Sequence, residues 1–205
     1  MVKPKKSLSQ NFLLDKNISI KIINKTKIKN KNILEIGPGY GSLTDSILKK
    51  NPRKIYLIEK DIYLKEKLKK KYINNNKIQI IGEDILKTNL EKYKDLIVIS
   101  NLPYNISVKT ILYLFYFNQN INEMVFMIQK EVALKFDYNL PKMNKYKFLT
   151  KILTKYNRCF DVSSNVFFPK PKVKSTVVKF IFEKKNIDIV KANTFSRIIF
   201  KNVRK

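Results

Sequence analysis

Glycine is rare in this chain and is concentrated in one short run. Of the four glycines, Gly37, Gly39 and Gly41 alternate directly after the apolar segment Asn32–Ile36. Glycine tolerates positive φ and lets a backbone approach another molecule closely, so this run predicts a ligand-binding turn between a strand and a helix. A tight turn that binds nothing is the alternative that the run by itself leaves open.

Two acidic side chains follow the next two apolar segments. Glu59 comes directly after Lys54–Ile58, and Asp84 comes shortly after Lys77–Ile81. The carboxyl ends of parallel strands meet at one edge of a sheet, so both acids should lie near the glycine turn. There Glu59 is placed to accept hydrogen bonds from the two ribose hydroxyls of a nucleoside, and Asp84 from its adenine amine. Either acid alone would more often be a solvated loop charge. The indication of a nucleoside site comes from the suitable groups that follow three successive strands, which are the glycine turn, Glu59 and Asp84.

The spacing of the glycines disfavours a dinucleotide as the ligand. It reads Gly-x-Gly-x-Gly, and Ser42 stands where the dinucleotide pattern Gly-x-Gly-x-x-Gly requires its third glycine. Glu35 would also lie close to a pyrophosphate and repel it. A nucleoside with a positive centre suits this turn better.

The fourth apolar segment ends in a run that suits a reaction at an exocyclic base amine. The run is Ser100-Asn101-Leu102-Pro103-Tyr104-Asn105. Such an amine is a poor nucleophile because its lone pair is delocalised, and hydrogen-bond acceptors such as the Asn101 oxygen and nearby carbonyls favour a localised lone pair. Methyl transfer to this amine needs no strong base, which fits a chain without histidine. An ordinary Asn-Pro turn is the alternative.

The apolar segments predict an α/β fold that brings these residues together. Strands are predicted over Asn32–Ile36, Lys54–Ile58, Lys77–Ile81, Asp95–Ser100 and Met124–Ile128, with amphipathic helices between several of them. This alternation indicates a mostly parallel sheet covered on both faces. Later segments predict a helix over Tyr146–Tyr156, an exposed loop over Asn165–Lys172, a strand at Thr176–Phe182 that ends an antiparallel hairpin at one sheet edge, and a terminal helix from residue 187.

Charge and composition narrow the choice of partner. The 43 basic and 16 acidic residues give a net charge of +27, which favours a polyanion such as nucleic acid over a lysine-coated surface with no dedicated ligand. One cysteine and no histidine exclude a disulfide framework, a Ser-His-Asp triad and a Cys/His metal site, so no metal is predicted. No apolar stretch is long enough for a membrane span. We therefore expect a protein of the cytoplasm or of an organellar matrix, with no membrane partner.

The motifs, taken in order, resemble one family. They are SLSQNFLLD at 7–15, ILEIGPGYGSLT at 33–44, LIEKD, GEDIL, SNLPYNIS, FMIQKEVA at 126–133 and VFFPKPKVKSTVV at 166–178. This set resembles the ribosomal RNA small-subunit adenine-N6,N6 dimethyltransferases, whose bacterial members confer kasugamycin sensitivity. Leu102 and Gln129–Ala133 favour this group over the related enzymes that methylate large-subunit RNA.

The resemblance implies a cofactor, a substrate and a set of site residues. S-adenosylmethionine would be bound in a Rossmann-like domain by Asn11, Leu13, Gly37, Gly39, Glu59, Asp84 and Asn101. The acceptor adenine would stack between Tyr104 and Phe167, with Phe168 as the adjacent alternative, and its N6 would lie near Asn101 and the carbonyl of Leu102 or Pro103. The implied reaction is dimethylation of two adjacent adenines near the 3′ end of small-subunit RNA, in a pre-30S particle, by a monomer with a role in ribosome biogenesis.

The resemblance also leaves alternatives open. We expect a methyltransferase domain with a short basic N-terminal arm over residues 1–185, and at 186–205 a terminal helix that is the remnant of the family's C-terminal helical domain. An RNA-binding assembly factor with vestigial catalysis is one rival function. An adenine-N6 methyltransferase that acts on large-subunit RNA or on DNA is the other.

Overall fold

The structure is a computed structural model that describes residues 10–183 and 187–201. Nine strands and seven helices alternate along these residues. They are β1 (Phe12–Leu13), α1 (Lys16–Ile23), β2 (Asn32–Ile36), α2 (Ser42–Leu48), β3 (Lys54–Ile58), α3 (Ile62–Lys71), β4 (Ile78–Ile81), β5 (Leu96–Asn101), α4 (Ser107–Phe115), β6 (Ile121–Gln129), α5 (Lys130–Phe136), α6 (Lys145–Leu153), β7 (Thr154–Val162), β8 (Phe167–Phe168), β9 (Ser175–Phe182) and α7 (Ile189–Lys201). Short 3-10 turns cover Ile85–Lys87 and Ser164–Val166.

The main sheet has seven strands in the order β4-β3-β2-β5-β6-β9-β7. The pairs from β4 to β6 are parallel, whereas β9 pairs antiparallel with both β6 and β7. The fold prediction, a mostly parallel α/β sheet with an antiparallel hairpin at one edge, is therefore confirmed. A separate antiparallel pair joins β1 to β8, which ties the start of the described chain to a segment far along the sequence.

Both faces of the sheet are covered, because its central strands carry apolar side chains on both sides. In β2, Ile33 packs into one buried cluster and its neighbour Leu34 into the other. Parallel strands covered by helices on both faces have this composition. Aspartates begin three of the helices: Asp15 accepts hydrogen bonds from the amides at the start of α1, and Asp61 and Asp188 do so for α3 and α7.

The prediction of a helix over Tyr146–Tyr156 is wrong at its end. The helix α6 ends at Leu153, and Thr154 starts the edge strand β7. Tyr156 is needed in the sheet, because it lies opposite Phe180, contacts that ring at a centroid distance of 5.0 Å and donates its hydroxyl to the Ala133 carbonyl at 2.7 Å. The apolar spacing of this segment fits a helix as well as a strand, and only tertiary pairing decides between them.

The prediction of an exposed loop over Asn165–Lys172 is wrong in part. Phe167 and Phe168 form β8, and Phe167 is only 4% exposed. Beyond β8, Pro169, Lys170 and Lys172 are exposed as expected. An apolar residue between two polar stretches can be recruited to the core by a distant strand, here β1, which local sequence cannot show.

A terminal helix is present as α7, which packs on α6 through Phe148 and Phe195, whose ring centroids are 6.2 Å apart. The predicted boundary between residues 185 and 186 lies outside the described residues, as does the start of the chain, where a short basic arm is predicted, so the division into domains stays a prediction. Among the described residues, no helix combines the length and the apolar composition needed to cross a membrane.

Candidate functional site

One cavity of about 500 Å³ lies at the carboxyl edge of the parallel strands. Ten of the eleven site residues that the resemblance implies, with Phe168 counted as the alternative to Phe167, line this cavity, although they come from segments far apart in the chain. They are Asn11, Leu13, Gly37, Gly39, Glu59, Asp84, Asn101, Leu102, Pro103 and Tyr104. Phe167 is not among the lining residues.

The glycine turn has the backbone geometry that its sequence predicts. Gly37, Gly39 and Gly41 have φ values of 61°, 60° and 82°, which L side chains rarely adopt. A Cβ on Gly39 would lie 3.0 Å from the Phe12 ring, and a Cβ on Gly41 would lie 2.3 Å from the Tyr72 hydroxyl. Packing against aromatic side chains therefore accounts for part of the glycine requirement at positions 39 and 41.

Glu59 is a buried carboxylate held by backbone amides at the end of β3. Its Oε2 accepts from the Gly39 N–H at 3.3 Å, and its Oε1 accepts from the Asp61 N–H at 2.9 Å. Burial raises the pKa of Glu59, while the backbone hydrogen bonds oppose that shift. The carboxylate is thereby fixed in orientation at the cavity wall, where remaining lone pairs can accept from hydroxyl groups.

Asp84 is held by two donors of different kinds. Its Oδ1 accepts from the Leu86 N–H at 3.0 Å, and its Oδ2 forms an ion pair with the Lys60 Nζ at 2.8 Å. The hydrogen bond from Lys60 lowers the pKa of Asp84. Sequence reasoning did not identify Lys60, which also lines the cavity and fixes the orientation of this carboxylate.

The side-chain amide of Asn101 is held by one hydrogen bond and presents its oxygen to the site. Its Nδ2 donates to the Asn11 carbonyl at 2.8 Å, which fixes the orientation of the side-chain amide. Its Oδ1 is buried and, among the described residues, has no hydrogen-bond partner. A buried acceptor without a donor costs about 1–3 kcal/mol, so such atoms are rare unless a ligand supplies the donor.

The two backbone carbonyls that follow Asn101 are not equivalent. The Pro103 carbonyl accepts from the Ile106 N–H at 3.2 Å and from the Ser107 hydroxyl at 2.9 Å. Because two donors already use its two lone pairs, Pro103 is a poor acceptor for a further amine. Of the two carbonyls, that of Leu102 is the better candidate.

Two aromatic rings differ in their access to the site. Tyr104 lines the cavity, and its hydroxyl lies 2.7 Å from the Ser175 hydroxyl at the start of β9. Phe167 pairs with Leu13 and is buried in the apolar core, whereas Phe168 is 44% exposed. Stacking of an acceptor base on Tyr104 and Phe167 stays a prediction, with Phe168 as the more accessible of the two phenylalanines.

Residues 10–14 form a strap across the cavity that chemical reasoning from the sequence missed. Phe12 packs edge-on against Tyr40 at a centroid distance of 4.8 Å, the Gln10 amide donates to Asp61 at 3.3 Å, and the Leu14 N–H donates to the Val166 carbonyl at 2.9 Å. Gln10, Phe12 and Leu14 line the cavity together with Asn11 and Leu13. Only the resemblance of the first motif could have signalled this strap.

Comparison with known proteins agrees with this geometry. The sequence model described as ribosomal RNA adenine dimethylase matches residues 1–205. The chain belongs to this family.

Individual relatives are similar over most of the chain. A Pelagibacter ubique protein named ribosomal RNA small subunit methyltransferase A is 41% identical, covering 87% of this chain and 70% of its own length. A Malacoplasma penetrans protein of the same name is 37% identical, covering 96% of this chain and 72% of its own.

Solved structures share the fold. A dimethyladenosine transferase from Plasmodium falciparum has a TM-score of 0.84 at 28% identity, covering 95% of this chain and 72% of that one. The 23S rRNA methyltransferase ErmE has a TM-score of 0.81 at 20% identity, covering 94% and 80%. At that identity the likeness to ErmE shows the fold alone.

Glu35 is a second buried acid at the cavity of this dimethylase family member. It is 2% exposed, and its Oε2 accepts from the Thr44 hydroxyl at 2.7 Å. Burial raises the pKa of Glu35 to about 8, the Thr44 hydrogen bond opposes this, and the neighbouring Asp45 and Glu59 add to it. This carboxyl therefore holds its proton over a wider pH range than a solvated one.

The raised pKa of Glu35 predicts a pH-dependent stability. Between the ordinary pKa of 4.5 and about 8 the folded state binds a proton that the unfolded state has released. The free energy of unfolding should therefore fall as the pH rises through this window. Glu35→Gln should make the free energy of unfolding depend less on pH, as measured by urea unfolding at about pH 5 and about pH 8. A smaller dependence should remain in the variant, because the pKa of Glu59 is also raised. Equal slopes for the variant and the unsubstituted protein would contradict this assignment.

Proposed function

We propose that this protein is an S-adenosylmethionine-dependent rRNA adenine-N6,N6-dimethyltransferase that acts on two adjacent adenines near the 3′ end of small-subunit RNA. The observation that carries the proposal is the buried Oδ1 of Asn101, which has no hydrogen-bond partner in the described part of the chain and lies in a cavity also lined by Glu59 and Asp84. Membership of the ribosomal RNA adenine dimethylase family and the names of the relatives support the same function.

The residues present fit the cofactor. S-adenosylmethionine, when bound, would supply an electrophilic methyl group on a sulfonium. The amine nitrogen would attack the methyl carbon while the carbon–sulfur bond breaks, so that the thioether S-adenosylhomocysteine leaves and the nitrogen loses a proton to solvent. The fixed carboxylate of Glu59 suits the ribose hydroxyls, and that of Asp84 suits the adenine amine. Gly37 adds no side chain to the cavity wall, and Asn11 and Leu13 contribute from the strap.

The acceptor side is built around an amine that must be oriented. The Asn101 Oδ1 and the Leu102 carbonyl would each accept one N6 proton of the target adenine, which holds its lone pair toward the methyl group. The Asn11 carbonyl keeps the amide from turning over, because it engages the Asn101 Nδ2 at 2.8 Å. Tyr104 would stack on the base, a contact worth about 1–3 kcal/mol that helps offset its extrusion.

Ser175 should act by holding the Tyr104 ring in place. Ser175→Ala removes the 2.7 Å hydroxyl contact and should lower kcat by about tenfold while leaving cofactor affinity unchanged. Tyr104→Phe removes the same contact from the other side, so the double variant should lose no more than either single variant. Steady-state kinetics of the three variants test this, and additive losses would show that the two hydroxyls act separately.

The finer features of the function are also proposals. Ribosomal RNA is the substrate class, and we propose that this RNA is methylated within the pre-30S particle. We propose that the protein acts as a monomer, and that it works without a metal because direct displacement needs none. Its proposed place of action is wherever small subunits are assembled, the cytoplasm or an organellar matrix.

The proposal can be tested by offering three substrates in parallel. Labelled S-adenosylmethionine is incubated with unmethylated 30S particles, with 50S particles and with duplex DNA. We expect label in the 30S RNA alone. Label in 50S RNA or DNA would favour the rival methyltransferase, and cofactor binding without any transfer would favour an assembly factor.

A further inference from the structure

Beside the cavity lies an exposed basic segment that the cofactor site does not use. We define it as the rim segment, residues 168–174, with the sequence Phe-Pro-Lys-Pro-Lys-Val-Lys. Phe168 is 44% exposed and Val173 is 38% exposed. Lys170, Lys172 and Lys174 are all exposed, and the segment contains no acidic residue.

Both ends of the rim segment attach to residues that line the cavity. Phe168 lies opposite Phe12 in the β1–β8 pair, and Ser175, which follows the segment, contacts the Tyr104 hydroxyl at 2.7 Å. The Lys174 carbonyl also accepts from the Lys130 N–H at 3.0 Å. The segment therefore borders the acceptor side of the cavity.

The lysines of the rim segment carry uncompensated charge. Within the described part of the chain, no carboxylate pairs with Lys170, Lys172 or Lys174. Nearby Lys130, in contrast, pairs with Asp161 at 2.5 Å. Uncompensated cations on a stiff backbone bind phosphates with little loss of conformational freedom, and two prolines restrict this backbone.

We propose that the rim segment binds the phosphates of the single-stranded RNA that flanks the acceptor adenine, through Lys170, Lys172 and Lys174. This proposal rests on the proposed function and names the surface that such a substrate would use. Four residues of chain extend at most about 14 Å, so the three ammonium groups would meet only a few consecutive nucleotides. Contacts to phosphates position a substrate without reading its sequence.

The test compares the unsubstituted protein with three triple variants of the full chain. K170Q/K172Q/K174Q removes the rim charge, and K29Q/K31Q/K50Q removes three equally exposed lysines next to the amino ends of β2 and β3, the edge opposite the cavity. The affinity for a single-stranded RNA that contains the target adenines is measured over a series of salt concentrations. A fourth protein, K170R/K172R/K174R, keeps the charge at the rim.

Each phosphate contact to single-stranded RNA contributes about 0.7 to the slope of log affinity against log salt, so the rim variant should lose about 2 from its slope. The control variant and the arginine variant should keep the slope of the unsubstituted protein, and cofactor affinity should be the same in all four. An equal loss of slope in the rim and control variants would overturn the proposal.

Binding and catalysis are measured separately, so the two proposals can fail separately. If the unsubstituted protein binds RNA through the rim but transfers no methyl group, the proposed function fails and the rim proposal stands. If it transfers methyl groups and K170Q/K172Q/K174Q keeps the full salt slope, the rim proposal alone fails.

Discussion

Replacing Asn101 with alanine is expected to lower kcat for methyl transfer by at least about 10²-fold at saturating cofactor, because the side chain supplies a fixed acceptor to the reacting amine. The variant also removes the bond from Nδ2 to the Asn11 carbonyl, so the strap loses one of its anchors. Single-turnover transfer to unmethylated 30S particles measures the chemical step directly.

A matched control separates this effect from a general loss of an amide. Asn122 lies near the start of β6, far from the cavity, and donates to Asp95 at 3.3 Å. Asn122→Ala should transfer methyl groups at the normal rate. If Asn101→Ala also keeps a near-normal rate while it folds and binds cofactor, then the acceptor role of this side chain is wrong.

The second large effect is expected from Glu59→Gln. The amide has one acceptor oxygen in place of two, so it would place an N–H donor against the N–H of Gly39 or of Asp61. It would also lose the charge that strengthens hydrogen bonds from ribose hydroxyls, each worth about 1.5–3 kcal/mol. Cofactor affinity should fall by about 10²-fold or more, as measured by titration calorimetry.

Glu91→Gln provides the control for this prediction. Glu91 is exposed in the loop before β5, where it accepts from the Asn89 side chain at 3.0 Å, and it does not line the main cavity. Its replacement should leave cofactor affinity unchanged. Unchanged affinity in Glu59→Gln, with folding verified by thermal unfolding, would show that this carboxylate does not hold the ribose.

The part of the site that lies at strand ends could be predicted from residue types alone. Glu59 and Asp84 follow apolar strands and Asn101 is the last residue of one, and parallel strands bring their carboxyl ends to one edge of the sheet. The glycines indicated where the backbone adopts positive φ, because few other residue types do so readily. At these positions the local sequence pattern is enough to place the residues, because it also determines which strand ends they occupy.

The rest of the site depends on contacts between distant residues, which local pattern cannot show. The Asn101 Nδ2 meets the carbonyl of Asn11, 90 residues away, and only the family resemblance pointed to the strap. The strand β7 and the burial of Phe167 were missed for the same reason, since pairing with β9 and with β1 decides both. Lys60 was missed because an exposed lysine carries no signal until its partner, Asp84, is known.

The most direct test of the central claim is to identify the modified nucleoside and its position. Unmethylated 30S particles are incubated with the protein and S-adenosylmethionine, and the digested RNA is analysed by mass spectrometry. We expect N6,N6-dimethyladenosine at two adjacent positions near the 3′ end with the unsubstituted protein, and none with Asn101→Ala. Methylation at another atom or another site, or equal dimethylation by both proteins, would contradict the account.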